Sequence, residues 1–189
     1  LLSILHQPCF HLFEVIGKHS VAHHRVPSLV VDGIHGASVS MAIYYSRLSL
    51  ISRSRGHSAV AAAAYRAGIR LHDERTDLGY DYSKRKGVLS SKMCAPGGAL
   101  WALDLASVWS RAEQAEVRRN ARTARELLVA LPAELSEEQN QRLAHEIAQD
   151  LVDRYGVAVL VAVHRPDAHG DQRNVHAHIL MSTRVAGPD

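Results

Sequence analysis

Two histidines alternate with apolar residues near the end of the chain. His176 and His178 stand two positions apart in VHAHILMS, and alternate residues of a strand point to the same face. Their α-carbons would lie about 6–7 Å apart, which allows both imidazoles to reach one ion. His164 ends the preceding apolar run, and antiparallel pairing of the two runs would bring it beside His176. Three neutral imidazoles in this arrangement predict an open, catalytic metal site.

The alternative interpretation is that these histidines are ordinary strand residues with no metal-binding role. His-x-His is a short motif that arises by chance, but a third histidine on the neighbouring run favours the metal site. His169, in the polar loop between the runs, is a further candidate ligand. Asp171 and Asn174 in the same loop would order it or orient an imidazole.

Tyr65 is the candidate nucleophile. It lies in HSAVAAAAYRAG, an alanine-rich stretch that predicts a helix ending at Gly68. A phenol ordinarily ionises at about pH 10, so it attacks phosphorus only where a base or a positive charge favours the phenolate. A metal on three histidines, with a phosphodiester between ion and tyrosine, would provide that setting. The alternative is a tyrosine that simply packs at the surface.

Basic residues around this stretch and in the later SKRK run are candidate phosphate contacts. Such contacts position a nucleic acid without reading its sequence. A run like SKRK is also typical of a solvated loop, and both interpretations stay open. The candidates are Arg53, Arg55, Arg66, Lys84, Arg85 and Lys86.

The composition excludes several classes of protein. The 189 residues suit one domain, or one domain with a short appendage, and 47% hydrophobic residues exclude a disordered chain. The net charge of +3 does not by itself indicate a nucleic-acid binder. Cys9 and Cys94, with no CxxC, exclude a disulfide framework and a cysteine-based zinc knuckle. The sequence has no transmembrane segment, so we expect a cytoplasmic protein without a membrane partner.

Residues 1–40 differ in composition from the rest of the chain. They hold six of the thirteen histidines and few charged side chains, and the pattern changes at Met41. This change predicts an upstream leader over 1–40 and a folded domain over 41–189. A weakly ordered arm over 1–40 is the alternative.

The predicted elements combine strands with long helices. We expect strands over 41–50, 122–131, 157–163 and 175–182, and a long surface excursion over 73–98. Helices are predicted over 57–68 and 101–120, and a third runs from a capping box at Ser136 and Gln139 to Gly156. Elements in this order predict an α+β fold, with a two-layer antiparallel sheet packed against helices.

Five phrases resemble one family of DNA-processing enzymes. The sequence is similar to MobA/MobL relaxases, the relaxase domains of plasmid mobilisation and TraA-type conjugative transfer proteins, from Met41 to about Arg184. These belong to the histidine–hydrophobic–histidine endonucleases, whose middle residue is Ala177 here. The matching phrases are Met41–Tyr44, SRSRGHSAVAAAAYRAG, LHDERTDLGYDYS, ARELLVALPAELS and HGDQRNVHAHILMSTR.

The resemblance implies a relaxase fold and a site- and strand-specific DNA transesterase. It would nick a plasmid origin of transfer, stay joined to DNA through a 5′-phosphotyrosine at Tyr65, and reverse the reaction. His164, His176 and His178 would hold a divalent ion, which could be magnesium, manganese or zinc.

Glu126 matches an acidic position of the family. It would orient a ligand or help to deprotonate Tyr65, although Leu128 stands where close relatives carry a second acidic residue. The alternative for Glu126 is an ordinary exposed strand residue.

The implied partners are single-stranded DNA at the transfer origin and accessory relaxosome and coupling proteins. Relaxases of this family usually continue further, so we expect a C-terminal truncation of the domain at residue 189. Three alternatives stay open: a zinc-dependent hydrolase in which Glu126 activates water, a rolling-circle replication initiator, and a non-catalytic DNA-binding module.

Overall fold

The structure is a computed structural model that describes residues 45–166 and 169–188. The leader predicted over 1–40, and the part of the first predicted strand before residue 45, lie outside the described residues. The strands are β1 (Ser46–Ser52), β2 (Arg70–Asp73), β3 (Leu78–Asp81), β4 (Val88–Cys94), β5 (Arg122–Ala130), β6 (Val157–His164) and β7 (His176–Val185). The α-helices are α1 (Ala59–Ala67), α2 (Leu105–Gln114) and α3 (Glu137–Tyr155).

Five strands form one antiparallel sheet in the order β1-β5-β7-β6-β4. The two apolar runs, β6 and β7, are neighbours near its centre, and in their register His164 lies opposite His176 and Ala162 lies opposite His178. The predicted antiparallel return of the chain after His164 is therefore confirmed. β2 and β3 form a separate hairpin.

Helices cover both faces of this sheet. All eight residues of β6 are buried, and successive strand residues point to opposite faces. Ala158 and Leu160 belong to the core formed with α1 and α2. The alternate valines of β6 therefore face α3, the helix with the most extensive packing on this strand. The predicted α+β class, with an antiparallel sheet packed against helices, is confirmed. Because helices lie on both faces, the two predicted layers correspond to the sheet and the helices on one of its faces.

Local sequence signals set the ends of the helices. Ser136 and Gln139 form the predicted capping box at the start of α3. At the start of α1, the Ser58 hydroxyl accepts bonds from two backbone amides. Gly68 ends α1 with φ of +65°, and a Cβ there would lie 3.0 Å from Val88 Cγ2. Glycine is therefore required where the chain leaves the helix that carries Tyr65.

The long surface excursion predicted over 73–98 is wrong. This segment contains the last residue of β2, all of β3 and all of β4, an edge strand that pairs with β6. Only the end of β4, Met93 and Cys94, is buried, so its polar stretch SSK resembles a loop in sequence. The helix predicted over 101–120 is also too long, because α2 ends at Gln114 and Val117 is almost fully exposed.

A buried ionic cluster ties the start of α1 to α2. Glu113 is fully buried and accepts hydrogen bonds from Arg53, from Arg75 and from the backbone amide of Ala59. Arg53 also donates to the backbone carbonyl of Glu116 at 2.7 Å. The prediction that Arg53 contacts phosphate is wrong, because its guanidinium is buried in this cluster and compensates a buried carboxylate.

Candidate metal centre and nucleophile

Three histidines meet where β6 ends and β7 begins. His164 is buried, while His176 and His178 are partly exposed on the same face of the sheet. The ring centroids are 4.7 to 5.7 Å apart. One nitrogen from each ring lies within 4.8 Å of the others, so the three could hold one metal ion. The structure thus brings together the three histidines that the sequence predicts as ligands.

Each imidazole has one nitrogen that faces an oxygen acceptor. His164 Nε2 lies 2.7 Å from the Arg66 carbonyl oxygen, and His176 Nδ1 lies 3.0 Å from that of Asn174. His178 Nδ1 lies 2.7 Å from Glu126 Oε1. Because these oxygens only accept, each nitrogen donates a proton and the other nitrogen of the ring keeps its lone pair. Three imidazoles oriented in this way fit a divalent cation.

Burial keeps two of these rings neutral. It lowers the pKa of His164 to about 4, with additional lowering by the charges of His178 and Arg85. Burial also lowers the pKa of His178 below its ordinary value, although the bond to Glu126 acts in the opposite direction. Neutral rings are the form that coordinates metals, so the site is prepared for an ion at neutral pH.

Glu126 lies beneath the histidines on β5. It is only 5% exposed, so the alternative of an ordinary exposed strand residue is wrong. Its carboxylate accepts from His178, from Arg66 Nη2 at 2.6 Å and from the Ser49 hydroxyl. Burial raises the pKa of Glu126, but the bonds from His178 and Arg66 and the Arg66 charge outweigh it and hold the pKa well below its usual range. The group is a fixed anion that orients His178.

Tyr65 lies near the end of α1 with its side chain 43% exposed. Its ring meets Tyr82 edge to face, with 5.2 Å between ring centroids. The guanidinium carbon of Arg85 lies 3.6 Å from the centroid of the Tyr65 ring. Tyr82 and Arg85 hold the Tyr65 ring in place, while the residue stays partly open to solvent. Its hydroxyl can therefore contact a large substrate.

Two connections join Tyr65 to the histidines. Arg66, the next residue along α1, accepts the His164 bond through its backbone and pairs with Glu126 through its side chain. Arg85 lies on the Tyr65 ring and places Nη2 3.2 Å from His164 Nδ1. The candidate nucleophile and the candidate metal ligands therefore form one site.

The other predicted residues have different environments. The Arg66 guanidinium pairs with the buried Glu126, so its prediction as a free phosphate contact is wrong. Arg55, Lys84 and Lys86 are exposed, as phosphate contacts would be. His169 is exposed in the loop before β7.

The loop before β7 orients one imidazole, as the sequence predicts. The Asn174 carbonyl fixes His176, and the Asp171 side chain holds Arg173. Ser49, a partner of Glu126, and Tyr82 were missed. Isolated serines and tyrosines carry no signal in one sequence, and only the β1–β5 register places Ser49 opposite Glu126.

Relatives in several organisms match most of the chain. Mobilization protein MobL of Acidithiobacillus ferridurans is 42% identical over 79% of this chain and 44% of its own length. A probable mobilization protein MobA of Bifidobacterium longum is 36% identical over 78% of this chain and 26% of its own length. The conjugal transfer protein TraA of Rhizobium radiobacter is 30% identical, over 76% of this chain and 14% of its own length. The chain thus spans less than half the length of these relatives.

A solved structure has the same fold. It is described as "Molecular Basis of Vancomycin Resistance Transfer in Staphylococcus aureus", with a TM-score of 0.69 and 29% identity. The match covers 76% of this chain and 71% of that one. Within 45–166 and 169–188, no helix has the length and apolar character needed to cross a membrane.

The MobA/MobL family profile matches residues 57–189, which include Tyr65, Glu126 and the three histidines. That range is more than half of the chain. Its motifs, its antiparallel fold and its relatives agree, so the chain belongs to the MobA/MobL family.

Proposed function

We propose that residues 41–189 nick and rejoin one DNA strand at a plasmid origin of transfer. Tyr65 attacks the scissile phosphate and becomes joined to the 5′ phosphate of the downstream strand. His164, His176 and His178 hold the divalent ion that assists this attack. The proposal includes accessory relaxosome and coupling proteins as partners and a cytoplasmic location.

One observation carries the proposal: an exposed tyrosine adjoins a cluster of three histidines. The Arg85 guanidinium contacts both the Tyr65 ring and His164. One side-chain group therefore spans the gap between the tyrosine and this histidine. A phosphodiester between the tyrosine and the histidines would therefore be within reach of both. The names of the mobilisation and conjugal transfer relatives support a role in plasmid transfer.

The chemical step exchanges one phosphodiester for another. A bond forms between Tyr65 Oη and phosphorus as the bond between phosphorus and the upstream O3′ breaks. The phenol loses its proton to solvent, and the departing 3′ oxygen takes one up. The three histidines would hold a divalent ion, which would supply charge withdrawal from a non-bridging phosphate oxygen. No ATP is needed, and the 3′ hydroxyl can attack the phosphotyrosine in reverse.

Glu126 contributes to this step by position. Its oxygens are engaged by His178 and Arg66, and its depressed pKa makes it a weak proton acceptor. These contacts favour the ligand-orienting role over deprotonation of Tyr65. They also weigh against the zinc-hydrolase alternative, in which Glu126 would have to be free to activate water.

The test is transfer of a label from DNA to protein. A pool of single-stranded oligonucleotides with a randomised centre and a 3′ fluorophore is incubated with the full chain and manganese. The native chain should give a fluorescent protein band on a denaturing gel, because the 3′ fragment stays attached. Tyr65→Phe should lose the band, and chelator should abolish it in the native chain.

Tyr155→Phe is the matched control. Tyr155 is 58% exposed at the end of α3, so its hydroxyl can be removed without changing the core. This variant should form the adduct like the native chain. Full cleavage of DNA by Tyr65→Phe would overturn the tyrosine mechanism in favour of attack by water.

A further inference from the structure

Arg85 has an unusual environment for a cation beside a metal-binding cluster. It lies in the turn between β3 and β4, and its guanidinium is placed between the Tyr65 ring and His164. Nε and Nη1 are buried, and neither has a hydrogen-bond partner among the described residues. Burying a hydrogen-bond donor without an acceptor costs free energy. A position in which these two nitrogens had acceptors would therefore be more favourable for the guanidinium.

Among the described residues, Arg85 makes its side-chain hydrogen bond to the atom that a metal ion would need. His164 Nε2 carries the ring proton, because it faces the Arg66 carbonyl oxygen. Nδ1 therefore holds the lone pair of the neutral ring. Arg85 Nη2, a donor only, lies 3.2 Å from that Nδ1. The guanidinium and a divalent ion cannot use this lone pair together, and their positive charges repel each other.

We propose that Arg85 occupies the ion's place on His164 in the metal-free protein and must leave it when the ion binds. The same movement takes the guanidinium off the Tyr65 ring, because both contacts belong to one planar group. Ion binding thus removes the cation from the Tyr65 ring and frees a guanidinium whose Nε and Nη1 lack acceptors among the described residues. Arg85 is a positioning residue that couples metal occupancy to the state of Tyr65.

This inference rests on the proposed function for the role of Tyr65. The competition between Arg85 and the ion for His164 Nδ1 follows from the geometry and does not depend on that role. Its first test is a calorimetric titration of the full chain with manganese, without DNA. Arg85→Ala should bind manganese at least about tenfold more tightly than the native chain, since a charge-assisted hydrogen bond no longer competes. Lys86→Ala removes an equal charge from an exposed neighbour and should change the dissociation constant by less than about threefold.

The second measurement follows Tyr65 directly. The chain is labelled with 3-fluorotyrosine, and the Tyr65 fluorine resonance is assigned by its absence in Tyr65→Phe. Magnesium should shift this resonance in the native chain. In Arg85→Ala the metal-free resonance should already lie away from its native position, and magnesium should move it much less.

The outcomes separate this inference from the proposed function. Equal or weaker manganese binding by Arg85→Ala than by Lys86→Ala would overturn it, as would a Tyr65 resonance that magnesium does not move in the native chain. Tighter binding by Arg85→Ala together with DNA cleavage by Tyr65→Phe would support the competition at His164 and overturn the tyrosine mechanism alone. Matching thermal melting curves for all variants would show that the changes are local.

Discussion

At the scale of single residues, hydrogen-bond chemistry determines how the candidate metal centre works. The Arg66 and Asn174 carbonyls and the Glu126 carboxylate each fix one imidazole nitrogen as a donor. This arrangement selects one tautomer in each histidine, and so it determines which nitrogen is available to an ion.

Burial of His164 makes the metal-free protein sensitive to acid. The pKa of His164 is about 4 in the fold, below its ordinary value of 6.5, so between these pH values only the unfolded chain takes up a proton there. Stability should therefore fall as the pH drops from 7 to 5. The expected contribution of this ring is about 1–2 kcal/mol of the unfolding free energy.

The comparison uses His164→Gln, whose amide can still donate to the Arg66 carbonyl. Denaturant unfolding is measured at pH 7 and pH 5 in the presence of chelator. The native chain should lose more stability between the two pH values than the variant does. An equal loss would show that His164 is not held neutral by its surroundings.

The residues of the site differed in how well the sequence predicted them. The alternation of His176 and His178, with His164 on the next run, identified the cluster because strand periodicity alone places the rings together. Ser49 could not be found, and Arg85 was predicted only as a phosphate contact, since their contacts within the site depend on strand register and on a turn conformation.

At the scale of elements, the end of α1 positions both Tyr65 and the carbonyl that fixes His164. Gly68 turns the chain out of this helix with φ of +65°, and Val88 leaves no room for a Cβ. Gly68→Ala should destabilise the fold by about 1–2 kcal/mol from the left-handed conformation alone, with more from the contact.

Gly97→Ala is the matched control for this glycine. A Cβ at Gly97 meets nothing within 4 Å, and its φ is not in the left-handed range. The free energy of unfolding in denaturant should fall for Gly68→Ala and change little for Gly97→Ala. Equal effects of the two substitutions would contradict the packing described for the end of α1.

Elements with strong local signals were predicted well. The capping box placed the start of α3, and the unbroken apolar run placed β6. β4 was missed because an edge strand buries only part of its length, so its exposed polar residues hide the strand pattern. The end of α2 was missed because nothing in the sequence marks the loss of packing after Gln114.

At the scale of the whole molecule, two adjacent strands carry the candidate metal ligands while helices cover the sheet on both sides. β6 and β7 are neighbouring inner strands, and the site lies at one end of them, where α1 packs from one face. The family match and the solved structure extend over the same core. The family match thus covers the part of the chain that contains the candidate site.

The central claim is that Tyr65 forms the covalent bond to DNA. The most direct measurement isolates the fluorescent protein–DNA adduct, digests it with trypsin and nuclease, and identifies the modified peptide by mass spectrometry. Trypsin releases residues 56–66, a peptide with a single tyrosine, whereas Tyr80 and Tyr82 lie in another peptide. We expect a nucleotide phosphate on Tyr65. A phosphate on the peptide that contains Tyr80 and Tyr82, or on a histidine, would contradict it.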